Sequence, residues 1–386
     1  MSTPSTASMA LIPSEADQPE AAHGTGVLPW QAINSMIRDR QLLGSRPITP
    51  DQVQPASLDL RLGETAWRVR ASFLPGPTAT VAEKIKQLDG YAIDISNGAV
   101  LERGCVYVVP LLESLDLPAA LGAIANPKSS TGRLDILVRL ITDRGEAFDQ
   151  ISPGYTGPLF AEIAPRTFSI VARTGTRLNQ IRFRRGPARL LAQADLNQLL
   201  QDGRLVQAEG GRLVARDKLV GVTIDLHGAG PGSLIGYRAR KHTDRIDVDK
   251  VGQYGVLDFW EPIHQREPAL ILNPDDFYIL ATREKVRIPP DLAAEMVAYD
   301  VAVGEFRVHY AGFFDPGFGD TDTGGARAVL EVRSHEVPFM LEHGQTVGWL
   351  QYERMSALPE KLYGRDIKSN YQNQGLALAK QFRAPI

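Results

Sequence analysis

The chain of 386 residues has a single cysteine, Cys105. No disulfide framework can form within it, and no C-x-x-C pair exists to build a zinc site of that kind. Apolar residues never gather into a run near the roughly 18 needed to cross a bilayer, so no membrane span is expected. Basic charge is not in surplus: 42 Lys and Arg stand against 45 Asp and Glu, a net charge of −3. A nucleic-acid polymer is therefore a poor substrate, although a local basic pocket for one small anion stays open. Six of the seven histidines fall in the second half (His227, His242, His264, His309, His335, His343), without close metal-ligand spacing. Residues 1–26 lack the basic and apolar segments of a secretory signal. Rich in Ser, Thr, Pro and Ala, they are expected to form a disordered tail, and a cytoplasmic location fits the lone thiol.

The length is too great for one ordinary core, which predicts two domains. Its 35 glycines and 26 prolines are spread along the chain and punctuate short strand-like runs. One helix is expected at Pro29–Arg38, with Pro29 in its first turn and Trp30, Ile33 and Ile37 on one face. The order of motifs then recurs. Leu58-Asp59-Leu60 is echoed by Ile224-Asp225-Leu226, and Ser152-Pro153-Gly154-Tyr155 by Asp315-Pro316-Gly317-Phe318. Leu159-Phe160-Ala161-Glu162-Ile163 is echoed by Ala328-Val329-Leu330-Glu331-Val332. A constant offset of about 170 residues is a domain duplication, not a solenoid of short repeats. The expected organisation is a first domain over 27–186, a connector over 187–218 with a short amphipathic stretch from Leu190 to Leu200, and a second domain over 219–386. The fold expected is mainly β: two tandem barrel- or sandwich-like domains with a few short helices.

Two segments carry chemistry. In Lys128-Ser129-Ser130-Thr131-Gly132-Arg133, three adjacent hydroxyls lie between two cations, and Gly132 permits close backbone approach. Such a segment suits a phosphate chain, without being a Walker A loop, though a polar surface turn would look the same. Glu162 interrupts an apolar strand and shares a face with Phe160, opposite Ala161 and Ile163. Buried there, a carboxylate has a raised pKa and can move protons near neutral pH. A solvent-facing or ion-paired glutamate would show the same pattern.

Together these residues resemble the dCTP deaminases of the dUTPase-like superfamily. The resemblance rests on Gln54 to Gly63, Lys128 to Arg133, Ile151 to Gly157 followed by Glu162, and Tyr371-Gln372-Asn373-Gln374-Gly375 near the end. It covers nearly all of the first repeat and the terminal segment. It implies hydrolytic deamination of dCTP to dUTP and ammonia, feeding dUMP and dTMP synthesis. Glu162 would activate water for attack on C4 of cytosine and then protonate the leaving amine. Arg133 would stabilise charge and position Glu162 or the water, with Ser129 beside it. Lys128, Ser129, Ser130, Thr131 and Gly132 would hold the triphosphate, with Mg²⁺ across its oxygens and no protein ligand. Ser152, Tyr155, Phe160 and Ala161 would shape the base pocket, and Tyr363 and Gln374 would close over the nucleotide. Zinc deaminases use H-x-E and P-C-x-x-C ligands, and one cysteine excludes that set. The resemblance also implies a homo-oligomer, a trimer being expected.

Some positions depart from the family pattern. Lys128 stands where an arginine is common, and the segment Thr142 to Gln150 is longer than usual. Ser152 replaces the aspartate that in dUTPases activates the water attacking phosphate, which argues against a dUTP pyrophosphatase or a bifunctional enzyme. In the second repeat, Asp300 to Glu305 aligns with the phosphate loop, and Glu305 would repel a triphosphate. That repeat, with Glu331, is therefore expected to be a structural copy that supplies the closing segment. A non-catalytic nucleotide-binding regulator remains a competing reading.

Overall fold

The structure is a computed structural model, and it describes residues 24–207, 215–297, 306–309, 312–320, 324–334, 336–367, 371–372 and 374–383. Most of the expected tail, the loop Asp300 to Glu305, and Asn373 lie outside the described residues. Among those described, no helix is long and apolar enough to cross a membrane.

The architecture is mainly β, in two copies. The first repeat has one sheet built around Val106–Asp116, Thr156–Pro165 and Ile136–Thr142, and a second around Asn179–Arg185 and Leu121–Pro127. Antiparallel pairing lets each strand put alternate residues on opposite faces. In Thr156–Pro165 this sends Leu159, Ala161 and Ile163 into the core shared with Ile181 and Phe183 of the other sheet. The second repeat reproduces this order. Phe277–Val286 pairs with Ala326–Ser334, and Thr346–Arg354 with Leu292–Val297. The duplication read from the sequence is thus a duplication of sheets. The first helix spans Trp30–Arg38, with Pro29 just before it and Ala32, Ile33 and Met36 as its buried face. Trp30 and Ile37 pack at the edge of that face. The amphipathic connector forms the helix Gln193–Gln201.

The two copies are joined through a seam with an aromatic cluster. Phe168 of the first repeat meets Trp260 and Phe259 of the second edge-on, with ring centroids 5.5 and 5.7 Å apart. The terminal segment returns to this cluster, where Phe382 packs on Trp260. Ile170–Ala172 and Ile246–Asp247 pair in parallel across the boundary. Buried ion pairs cross it as well. Arg182 donates to the carbonyls of Ala294 and Phe314 and to Asp315 Oδ1, and Arg184 grips Glu353. Removing one partner of such a pair strands a buried charge, which costs about 3–5 kcal/mol, so the seam tolerates little sliding.

Candidate functional site

A cavity of about 270 Å³ opens on this seam. The first repeat supplies Lys128, Ser129, Ser130 and Arg133 from the short helical turn Ser129–Gly132 and its flanks. The second supplies Asp315 and Phe318 from its Pro-Gly turn, and Val329 and Glu331 from the strand Ala326–Ser334. The last stretch of chain adds Tyr363, Tyr371, Gln374 and Lys380. Each repeat therefore contributes half of one site.

Glu331 and Arg133 are buried ionisable residues of this cavity, 5% and 3% exposed. Burial pushes the Glu331 carboxyl well above the usual range, Arg133 pulls it back, and Asp135 pushes it further up. Arg133 is held from the far side. It donates to the Ala377 carbonyl at 3.1 Å and to Gln374 Oε1 at 2.8 Å, and its guanidinium lies 4.0 Å from the centre of the Tyr371 ring. Gln374 is anchored in turn by Arg327, whose carbonyl accepts from Gln374 Nε2 at 3.2 Å and whose N–H donates to the Gln374 carbonyl at 3.1 Å, so the closing segment is stitched to the Glu331 strand. At the other end of the cavity Lys128 is paired with Asp59. Burial, then repulsion from Lys128, lowers the Lys380 ammonium. Lys128, Lys380 and Arg133 thus share the cavity with the hydroxyls of Ser129 and Ser130, groups suited to phosphate oxygens. Both oxygens of Asp315 are committed, one to Arg182 at 2.9 Å and one to the Ser57 hydroxyl at 3.2 Å.

Glu162, expected to be the general base, stands apart from this cavity. It is buried, but it does not line the cavity with the phosphate loop. Arg139, its register partner on the neighbouring strand, donates to Glu162 Oε1 through Nε at 3.0 Å. That face of the sheet is then roofed by the helix Val81–Gln87, whose Val81 and Ile85 pack with Phe160, Ile141 and Val108. The equivalent strand of the second repeat carries Glu331, which lines the cavity with Arg133. The second repeat, expected to be a structural copy, thus adds a buried carboxyl to the cavity.

Other predicted residues divide in the same way. Lys128, Ser129, Ser130, Arg133, Tyr363 and Gln374 meet at the cavity. Thr131 does not, because its hydroxyl is spent on the Leu178 carbonyl at 2.7 Å, and Gly132 is buried within the turn. Ser152 and Tyr155 line a separate hollow with Arg144, where the Tyr155 hydroxyl donates to the Pro158 carbonyl. Phe160 and Ala161 belong to apolar cores. Their second-repeat counterparts Asp315, Phe318 and Val329 take the places expected of Ser152, Tyr155 and Phe160. Sequence reasoning assigned none of Asp59, Lys380 and Tyr371 to the site, although Asp59 lies in the segment Gln54 to Gly63 and Tyr371 opens the terminal motif.

Near Glu162, burial raises Asp149 to about 7, against the Leu140 N–H and the Arg139 charge. A carboxyl held higher in the folded than in the unfolded state favours folding at low pH. That contribution is present below the unfolded value of 3.8 and is lost as pH rises through about 7. Asp149→Asn keeps the oxygen that accepts from Leu140. At pH 8 the variant should melt about 2–5 °C above the wild type, and at pH 4 the two should coincide. Equal melting at pH 8 would show that Asp149 is not the group responsible.

The comparisons agree with this division into halves. Residues 24–187 match the family described as the 2'-deoxycytidine 5'-triphosphate deaminase (DCD) N-terminal domain, and residues 192–382 its C-terminal domain. The crystal structure of 2'-deoxycytidine 5'-triphosphate deaminase from Agrobacterium tumefaciens is similar, at 56% identity and TM-score 0.83. The match covers 87% of this chain and all of that one. Among curated relatives, the "dCTP deaminase, dUMP-forming" of Halobacterium salinarum is 29% identical over 139 residues, 35% of this chain and 66% of that protein. The protein of the same name from Thermobifida fusca is 25% identical over 190 residues, 48% of this chain and 88% of that protein. The "dCTP deaminase" of Halorubrum lacusprofundi is 29% identical over 154 residues, 38% of this chain and 73% of that protein. With both halves of the family matched in order, over the segments that build the cavity, the chain belongs to the dCTP deaminase family.

Proposed function

We propose that this protein hydrolyses the 4-amino group of dCTP, giving dUTP and ammonia, at the cavity that holds Glu331 and Arg133. The observation that carries this reading is the meeting of Glu331 with Arg133 and the Ser129 and Ser130 hydroxyls in one buried place. Water must lose a proton as it attacks C4, and the departing amine must gain one. A carboxyl with a raised pKa in a closed site can do both, accepting from water and delivering to the amine. Arg133 keeps that carboxylate from staying protonated and fixes its direction. Lys128 and Lys380 face the triphosphate, which would carry its Mg²⁺ in as part of the substrate. The protein's share is to bind the phosphate oxygens.

Several relatives carry names ending "dUMP-forming", and the argument from Ser152 does not bear on this cavity, where Asp315 stands. Asp315 nonetheless has both oxygens engaged by Arg182 and Ser57, which leaves it poorly placed to activate water against a phosphate. This favours dUTP as the product. The test is chromatography of dCTP incubated with Mg²⁺ and protein. We expect dUTP and ammonia in equal amounts and no pyrophosphate; pyrophosphate with dUMP would make the enzyme bifunctional. Binding of dCTP without turnover would instead indicate a regulator. A homotrimer, proposed from the resemblance, is not needed to complete this cavity.

A further inference from the structure

Arg133 and Glu331 line the same cavity from the two repeats, and two residues further along each segment an ion pair joins the repeats with the signs reversed. Asp135 follows Arg133, and Arg333 follows Glu331 on the same face of its strand. Arg333 Nε lies 3.0 Å from Asp135 Oδ2, and Arg333 also donates to the Thr167 hydroxyl at 2.8 Å and the Asp275 carbonyl at 2.9 Å. Thr167 donates to Asp135 at 2.6 Å. Both members are buried, and Asp135 sits in the left-handed region at φ 55°, so a strained backbone is maintained to place it. At the position of the first repeat corresponding to Arg333 stands Ala164, so the device belongs to the seam and not to the fold.

We propose that the Asp135–Arg333 ion pair is a positioning device for the deamination, holding Glu331 in register with Arg133 across the boundary between repeats. The inference rests on the reading of the cavity given above. As a source of stability such a pair is poor, because the desolvation of two buried charges offsets most of their attraction. As a register it is effective, because a strand advances only about 3.3 Å per residue and a slip would misalign both rungs at once. A misplacement of about 1 Å at a reacting group can cost on the order of a hundredfold in rate.

The charged and titratable groups acting on Glu331 are Arg133 and Asp135 from the loop side, Arg333 on its own strand and Tyr371 from the closing segment. Its register partners on the flanking strands are Ile279 and His309. The test is ammonia release from dCTP as a function of pH for the wild type, Asp135→Asn, Arg333→Gln and the double variant, with folding followed by circular dichroism. Each single variant should lose about 10- to 100-fold in kcat, with KM for dCTP within about threefold, since Lys128, Ser129 and Ser130 are untouched. The acid limb of kcat should move in opposite directions. Without the Asp135 charge it shifts to lower pH; without Arg333, the unneutralised Asp135 shifts it to higher pH. A purely structural role would move neither limb.

Limbs that stay put, or move together, in folded and active variants would overturn the proposal. If a single variant fails to fold, the double variant decides, because it strands no buried charge: a folded double variant with wild-type kcat also overturns it. A wild type inert toward dCTP would overturn the reading of the cavity, and this inference with it.

Discussion

Glu331→Gln is expected to lower kcat for dCTP deamination by about a thousandfold or more, while Glu162→Gln stays within about threefold of the wild type. The two glutamates occupy the same place on equivalent strands, so the contrast isolates their surroundings. Glu331 lies in the cavity with Arg133 and the phosphate-loop hydroxyls, and its carboxyl is raised by burial. Glutamine keeps its shape and cannot carry a proton. Glu162 is saturated on one oxygen by Arg139 and roofed by the helix Val81–Gln87. Its loss would leave the partly exposed Arg139 without its partner, and no consequence for the reaction is expected. The wild-type kcat should also rise with pH through a value well above the ordinary carboxylate range, because Glu331 must be ionised to accept the proton from water. Ammonia release at saturating dCTP, with circular dichroism as the control for folding, reads all of this. If Glu162→Gln abolished turnover and Glu331→Gln did not, the site would belong to the first repeat and the cavity at the seam would need another purpose.

The outcome for these two residues shows how far the sequence could be read. Strand alternation placed Glu162 on the face of Phe160 and opposite Ala161, and the structure has it so, because a two-residue period leaves no other choice. The offset of about 170 residues located the equivalent strands for the same reason. What alternation does not encode is which face meets which partner. That was decided by features outside the motif. Arg139 sits opposite Glu162 in the register, and Thr80-Val81-Ala82-Glu83 starts the roofing helix with reciprocal capping bonds. The latter is a Ser/Thr-x-x-Glu signature that the sequence displays openly. Read as a helix without counterpart in the second repeat, it would have marked the first repeat's carboxylate as covered. The Lys128–Asp59 pairing had no local signal at all, because its partners are 69 residues apart and meet only through the sheet.

Mixing Arg133→Gln with Glu331→Gln should restore no activity, although each variant lacks a different half of the site. The cavity takes Arg133 and Glu331 from one chain, so no exchange of subunits can reunite a native loop with a native carboxylate. Were the working site formed between chains, random mixing would return about a quarter of the sites with both halves intact, and ammonia release would recover to that level. Each variant alone should fall by at least about a hundredfold. Arg133→Gln removes the charge that keeps Glu331 ionisable, together with its donation to the Ala377 carbonyl and its cation–π contact with Tyr371. The parent variants are co-expressed and purified together, so that assembly begins from mixed chains, and turnover is compared with a wild-type protein diluted fourfold. Activity near that diluted control would mean that the seam seen within one chain is not the working interface. Activity at the level of the single variants means that duplication has placed both halves of a deaminase site on one polypeptide, with the seam's buried ion pairs holding them in register.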